Sequence, residues 1–420
     1  MIQVLEESGG CGIECIDVTE NRISAQLKRE PMTRADWTTH DYNIHFSIGI
    51  QNNDNSERIV SLEIEGGTWD SLPEQEPLLY SATSADGPWH KASYPSRTDL
   101  KKRYAVQLPL GPQETVYLAN TYPRSLKFTE ENCSAVAGAA NAQRYVYGKS
   151  SQNRDLVAYV FGSPKEQPTL IVTSGFHPPE PDPWGTEEIM TWLRTNEANA
   201  LREQFAVVVI PIINPDGYAL QTQGSNAEDI NLYWGFHAED AVNCPEALAL
   251  LNYCQTLKPR GYIDFHCYTF QLGKTPGGYQ KPPSIYRDPR LRIAAKTLYA
   301  KHSEDIGGKP VHGFATYAPT TLGARLTAAF DTLTLAKYHL HLAEGENGCR
   351  ARALNVFKLL AETLESTGLT QQPEPRRSST IDFVHHLRVI WAGLLRPVIG
   401  LTRRGRFTEI RFDRSGLDAP

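Results

Sequence analysis

Alternation of apolar and polar positions with a period of two dominates the first 125 residues. It runs through Ile44-His-Phe-Ser-Ile-Gly-Ile50, Ile59-Val-Ser-Leu-Glu-Ile64, Tyr104-Ala-Val-Gln-Leu108 and Thr115-Val-Tyr-Leu118, as expected of strands that bury one face. Turn-forming clusters such as Asn52-Asn-Asp-Asn-Ser56 and Ser84-Ala-Asp-Gly-Pro88 separate the runs. The pattern predicts an antiparallel β-sandwich over residues 1–125.

After Pro123 the rhythm changes. A short polar helix is predicted over Thr129–Gln143, followed by strands at Arg144–Tyr147 and Leu156–Phe161. Apolar runs then alternate with helical stretches: strand Leu170–Thr173, helix Glu187–Ala200, strand Ala206–Ile210, helix Pro245–Leu257, strand Tyr262–Phe265, helix Arg290–Ile306, strand Tyr338–Leu342 and helix Ala351–Glu365. This predicts an α/β domain over residues 126–368, a largely parallel or mixed sheet flanked by helices, with ligands expected where strands end. Residues 369–420 read as a linker and a tail. Ile381–Leu395 is apolar at helical spacing, and Arg388, Arg396, Arg403, Arg404, Arg406 and Arg411 make the tail basic. Such a helix suits an anionic membrane surface, a partner, or the chain's own catalytic domain.

Composition narrows the function classes. A formal charge of −6 over 420 residues gives no case for general nucleic-acid binding. The start of the chain lacks a signal pattern and no segment has the apolar length of a membrane span, so a cytoplasmic location is expected. Seven scattered cysteines fit reduced thiols; Cys11 and Cys15 have no second pair at zinc-ribbon spacing. His40, His45 and His90 form no pair at ligand spacing and read as packed or surface residues.

Chemistry concentrates after the strand candidates of the second domain. Thr169-Leu-Ile-Val-Thr-Ser-Gly-Phe-His177-Pro-Pro-Glu180 places a histidine and a carboxylate three residues apart directly after a buried run. Ile213-Asn-Pro-Asp-Gly-Tyr218, Glu228-Asp-Ile-Asn231-Leu-Tyr-Trp234 and Tyr262-Ile-Asp-Phe-His266 repeat the pattern of polar residues at strand ends. A catalytic zinc takes three ligands from histidines and carboxylates, and His177, Glu180 and His266 form such a set.

The order His-x-x-Glu, Asn-Pro-Asp-Gly-Tyr, Asp-x-Asn-x-x-Trp, a lone strand-end His and a strand-end Glu resembles the zinc carboxypeptidase family, the carboxypeptidase A-like metallopeptidases. Gly148–Leu156 resembles the segment that family carries before its His-x-x-Glu strand. A β-domain ahead of the catalytic domain, with Gly323-Ala-Arg325 before the last strand, resembles the cytosolic carboxypeptidase (deglutamylase) branch. The resemblance implies one zinc held by His177, Glu180 and His266. It also implies that Asp229 orients the first histidine and that Glu344 moves the proton from the attacking water to the leaving amine. Glu346, two residues on, is the alternative base on the same face of a continuing strand. Tyr317 matches the mobile tyrosine that closes over substrate, and Asn231 belongs to the substrate clamp.

Two departures bear on the substrate. Leu232 stands where the family has the arginine that grips a C-terminal carboxylate, and residues 218–228 lack the arginine that stabilises the oxyanion. Arg325 is the first substitute cation, followed by Lys274 and Arg287. The expectation is a zinc metallohydrolase cleaving a peptide or amide bond with an atypical clamp. The alternatives are an amidase or deacylase acting on substrates without a free carboxylate, and a pseudoenzyme that serves as a binding module.

Overall fold

The computed structural model describes residues 1–371 except 6–11, 29, 34–38, 42–44, 66–78, 95, 100–102, 237–243, 268–276, 281–282 and 306–320. The proposed tail, Tyr317 and Lys274 lie outside the described residues. Among these residues no helix is long and apolar enough to cross a membrane.

The N-terminal strands are β1 (Ile2–Leu5), β2 (Ile13–Val18), β3 (Arg22–Leu27), β4 (Pro31–Thr33), β5 (Thr39–Asp41), β6 (Ser47–Asn52), β7 (Arg58–Glu65), β8 (Tyr80–Ala82), β9 (His90–Lys91), β10 (Ser96–Asp99), β11 (Arg103–Leu110) and β12 (Thr115–Ala119). One five-stranded sheet has the order β1-β6-β12-β8-β9 and the other β10-β11-β7-β3-β2. The expected antiparallel sandwich forms, with one parallel pair, β3 beside β7. Ile48, Ile50, Val116 and Leu118 of the first sheet share a core with Ile23, Leu27, Leu62, Ile64 and Val106 of the second. These are the apolar members of each alternating run, because side chains two apart share a face.

Behind the sandwich, α1 (Leu126–Ala139) leads into β13 (Gln143–Lys149), β14 (Asp155–Phe161), β15 (Thr169–Thr173), α2 (Pro183–Leu193), α3 (Asn199–Gln204), β16 (Ala206–Ile210), α4 (Pro215–Leu220), α5 (Pro245–Leu257), β17 (Gly261–His266), β18 (Gly277–Gln280), α6 (Pro289–Asp305), α7 (Leu322–Phe330), β19 (Leu333–His339) and α8 (Gly345–Ser366). The seven-stranded sheet runs β13-β14-β16-β15-β17-β19-β18. Its centre is parallel and its edges antiparallel. The central strands β15, β16 and β17 are buried along their whole length, which is why they read as continuous apolar runs rather than alternating ones.

One strand differs from expectation. The run Tyr338–Leu342 looks extended, but β19 ends at His339, and Leu342–Glu344 is a short 3-10 turn leading into α8. Glu346 therefore lies in the first turn of a helix rather than on a continuing strand.

The sandwich and the α/β body share contacts. Tyr80, Ala82, Trp89 and Ala119 join the main core of the α/β body. Glu30 accepts from the backbone amides of Gln223, Gly224 and Ser225 and from Ser225 Oγ. His45 and Gln223 exchange two hydrogen bonds, of 2.9 and 2.6 Å.

Candidate metal centre

The turn after β15 is built to leave the strand sharply. Gly175 has φ +68, and a Cβ there would meet the Pro211 carbonyl oxygen at 2.5 Å, so only glycine fits. Asp182 accepts from Gly175 N at 3.0 Å, and Asn214 Nδ2 donates to the carbonyls of Phe176 and Ser225. The Asn-Pro-Asp-Gly segment thus fastens the chain on either side of the candidate site. Its Asp216 gathers Ser150, Ser151, Gln152 and Arg154, which fixes the Gly148–Leu156 segment singled out in the sequence.

This turn delivers His177 and Glu180, both buried, beside His266 at the end of β17. The three offer ligand atoms within 4.8 Å of one another. His177 Nδ1 lies 2.7 Å from Glu180 Oε1, and His266 Nδ1 lies 3.2 Å from Glu180 Oε2. Both imidazoles turn the same nitrogen inward. Their outer nitrogens face oxygen: His177 Nε2 lies 3.3 Å from Asn231 Oδ1, and His266 Nε2 lies 3.3 Å from Asp264 Oδ2. This arrangement fits a metal, because a ligating histidine needs its far nitrogen held in one tautomer. Two histidines and a glutamate are also a zinc donor set.

Electrostatics agree with the geometry. Burial works against both charges, yet His177 and His266 hold the Glu180 carboxyl well below the usual range. Burial likewise opposes protonation of His266, but the carboxylates of Asp264 and Glu180 beside its two ring nitrogens raise it to about 9.

Asp229 stands exposed with φ +55; the side chain that meets His177 Nε2 is that of Asn231. Asn231 also accepts from Tyr233 N, which fixes its carboxamide. Asp264 takes the corresponding place behind His266. Asp-x-His on a strand puts both side chains on one face, a signal present in the sequence but overlooked.

Glu344 is exposed, and Arg352 donates to both of its carboxylate oxygens at 2.9 and 2.7 Å. Glu346 pairs with Arg350. The residue that faces His266 across the ladder is His339, buried, with ring centroids 6.2 Å apart.

Among the sequence-predicted substrate residues, Leu232 is fully buried in the apolar core on the site side of the sheet. Arg325 donates Nε to the Phe236 carbonyl at 2.8 Å. The backbone N–H of Arg287 donates to Asp331 Oδ1 at 3.3 Å. His45 is packed, as one of its two expected readings had it, and Lys337 is a residue that the sequence did not single out. His45, fully buried, is held neutral: burial, helped by the charge of His177 and opposed by Glu180, lowers it to about 4. Lys337 lies over the rings of Tyr233 and Trp234. A separate cavity of about 820 Å³, lined by Glu130, Arg144, Arg154 and Ile212, includes none of the metal-centre residues.

Residues 134–368 match a family model described as zinc carboxypeptidase. In structure the chain resembles a metallo-carboxypeptidase from Burkholderia cenocepacia at 16% identity and TM-score 0.67, covering 88% of this chain and 100% of that one. It also resembles a metallo-carboxypeptidase from Pseudomonas aeruginosa, solved in complex with (2-guanidinoethylmercapto)succinic acid, at 15% identity and TM-score 0.67, covering 87% and 100%. These coverages exceed the family-matched segment, so the shared fold takes in the N-terminal sheets. No curated protein matches the chain in sequence.

Proposed function

Because the chain belongs to the zinc carboxypeptidase family, we propose that it is a zinc-dependent hydrolase of an amide bond, acting at His177, Glu180 and His266. The observation that carries this reading is the buried cluster of the three, with Asn231 and Asp264 behind its histidines. The cluster pairs metal-donor chemistry with the second-row oxygens that such donors need. Zinc held there would polarise a substrate carbonyl and acidify water.

The chain's own residues supply the rest. Asn231 and Asp264 keep the inner nitrogens of His177 and His266 pointed at one spot. Phe176, Tyr233 and His266 pack ring against ring and exclude water from that side. The proton-transfer role falls to His339 in this reading, since it is the buried titratable group across the ladder from His266. The substrate is a peptide or acylated amino acid.

A second reading is favoured by the Glu344–Arg352 pair. If no group moves the proton, the same site binds ligands without turning them over, and the protein is a binding module. Zinc-loaded protein assayed on N-acylated dipeptides with free and amidated C-termini separates the two. Turnover abolished by His177→Ala supports the hydrolase; full zinc occupancy with no turnover of either substrate selects the binding module.

A further inference from the structure

Strand β19 carries an irregularity that the hydrolase reading does not use. In the pairing of β17 with β19, Ile263 faces Leu335 and Phe265 faces Tyr338. Ala336 and Lys337 therefore stand opposite the single residue Asp264. The extra residue is a bulge, and Lys337 adopts φ +50, a left-handed conformation that is unfavourable for a non-glycine residue. Bulges of this kind re-aim a side chain.

The re-aiming has a clear direction. Leu333, Leu335 and Tyr338 belong to the core on one side of the sheet together with Phe265. Tyr262 belongs to the core on the opposite side, with Phe176, Leu232 and Tyr233. The bulge turns Lys337 to that second side, where Asp264 and His266 also point. Its Nζ lies 5.4 Å from the Tyr233 ring centroid and 5.9 Å from that of Trp234, and the Tyr233 ring lies edge-on to His266 at 5.1 Å. A cation is thereby set on an aromatic platform one ring away from a metal-centre histidine, directly after the apolar, buried Leu232.

We propose that Lys337 is the ligand-recognition cation of this site and pairs with the carboxylate of an acylated amino acid or peptide C-terminus bound at the metal centre. This rests on the reading of His177, Glu180 and His266 as the ligand site. A single ammonium is a point charge without the fork of a guanidinium, so it suits a lone carboxylate beside an apolar group rather than a bidentate clamp. The aromatic wall of Phe176, Tyr233 and Trp234 supplies the apolar surface next to that charge.

The test is calorimetric binding of N-acetylphenylalanine and N-acetylphenylalaninamide to the zinc-loaded full chain, wild type and Lys337→Met, with zinc content measured on each. Wild type is expected to bind the acid at least tenfold more tightly than the amide. K337M should lose that preference while keeping its zinc and its affinity for the amide. Lys337→Gln is a second replacement read by the same comparison. The proposal is overturned if wild type binds neither probe, if it binds both equally, or if either variant keeps the preference for the acid, which would assign it to the metal alone. Absence of zinc in wild type would instead strike the metal-centre reading, and absence of turnover with acid binding intact would strike only the hydrolase.

Discussion

His266 stands between two carboxylates, with Glu180 Oε2 3.2 Å from its Nδ1 and Asp264 Oδ2 3.3 Å from its Nε2. Asp264 is fully buried, and in the proposed metal site it is the group that orients the ring. Asp264→Asn should weaken zinc binding by about 10–100-fold, the usual effect of losing such a partner, with only a modest change in thermal stability. Competition with a chelator measures it; unchanged zinc affinity would remove Asp264 from this role.

The same pair sets a pH dependence. His266 is raised to about 9 in the metal-free centre, so at neutral pH its ring carries a proton that zinc must displace. Apparent zinc affinity should therefore rise about tenfold per pH unit between pH 7 and 9 and level off above. Calorimetry in buffers of different ionisation enthalpy should find close to one proton released per zinc at pH 7. A flat profile would contradict the assignment.

Glu344 and His339 are separable by substitution. With Arg352 holding both oxygens of Glu344, Glu344→Gln should leave turnover within a factor of about two. His339→Gln should lower it by about a hundredfold or more, the usual weight of a proton-transfer group, with zinc retained. The opposite ranking would return the base to Glu344 and require its rotation away from Arg352.

His45 predicts acid sensitivity. Burial holds it neutral in the folded chain, with a value of about 4 against an ordinary 6.5. Above pH 6.5 neither state carries the proton and stability is unaffected. As pH falls from 6.5 to 4 the unfolded chain gains a proton that the folded chain refuses, which costs up to about 3 kcal/mol. Thermal melts across this window should show a shallower loss for His45→Gln than for wild type.

Which parts could be read from the chain follows from range and periodicity. His177 and Glu180 are readable because a largely apolar, β-branched run ends at Gly175, where steric contact admits only glycine. The last strand was misplaced because Tyr338-His-Leu-His-Leu342 keeps a period of two beyond its end. The true strand is disguised by its bulge, where Ala336 and Lys337 interrupt the alternation. Glu344, expected at a strand end, stands five residues past the end of this strand. A one-residue shift exchanges the faces of a strand, so the placement of Lys337 could not be inferred from spacing. His45 reaches the site only through the packing of the sandwich on Gln223, 178 residues away in the chain, and no local pattern records such a contact.

The central claim is that His177, Glu180 and His266 form a zinc site. Elemental analysis of the purified full-length protein after zinc loading and removal of excess metal tests it most directly. The account predicts one zinc per chain in wild type and almost none in His266→Ala of matching thermal stability. A wild-type chain without zinc, or a His266→Ala variant that retains it, would contradict the account.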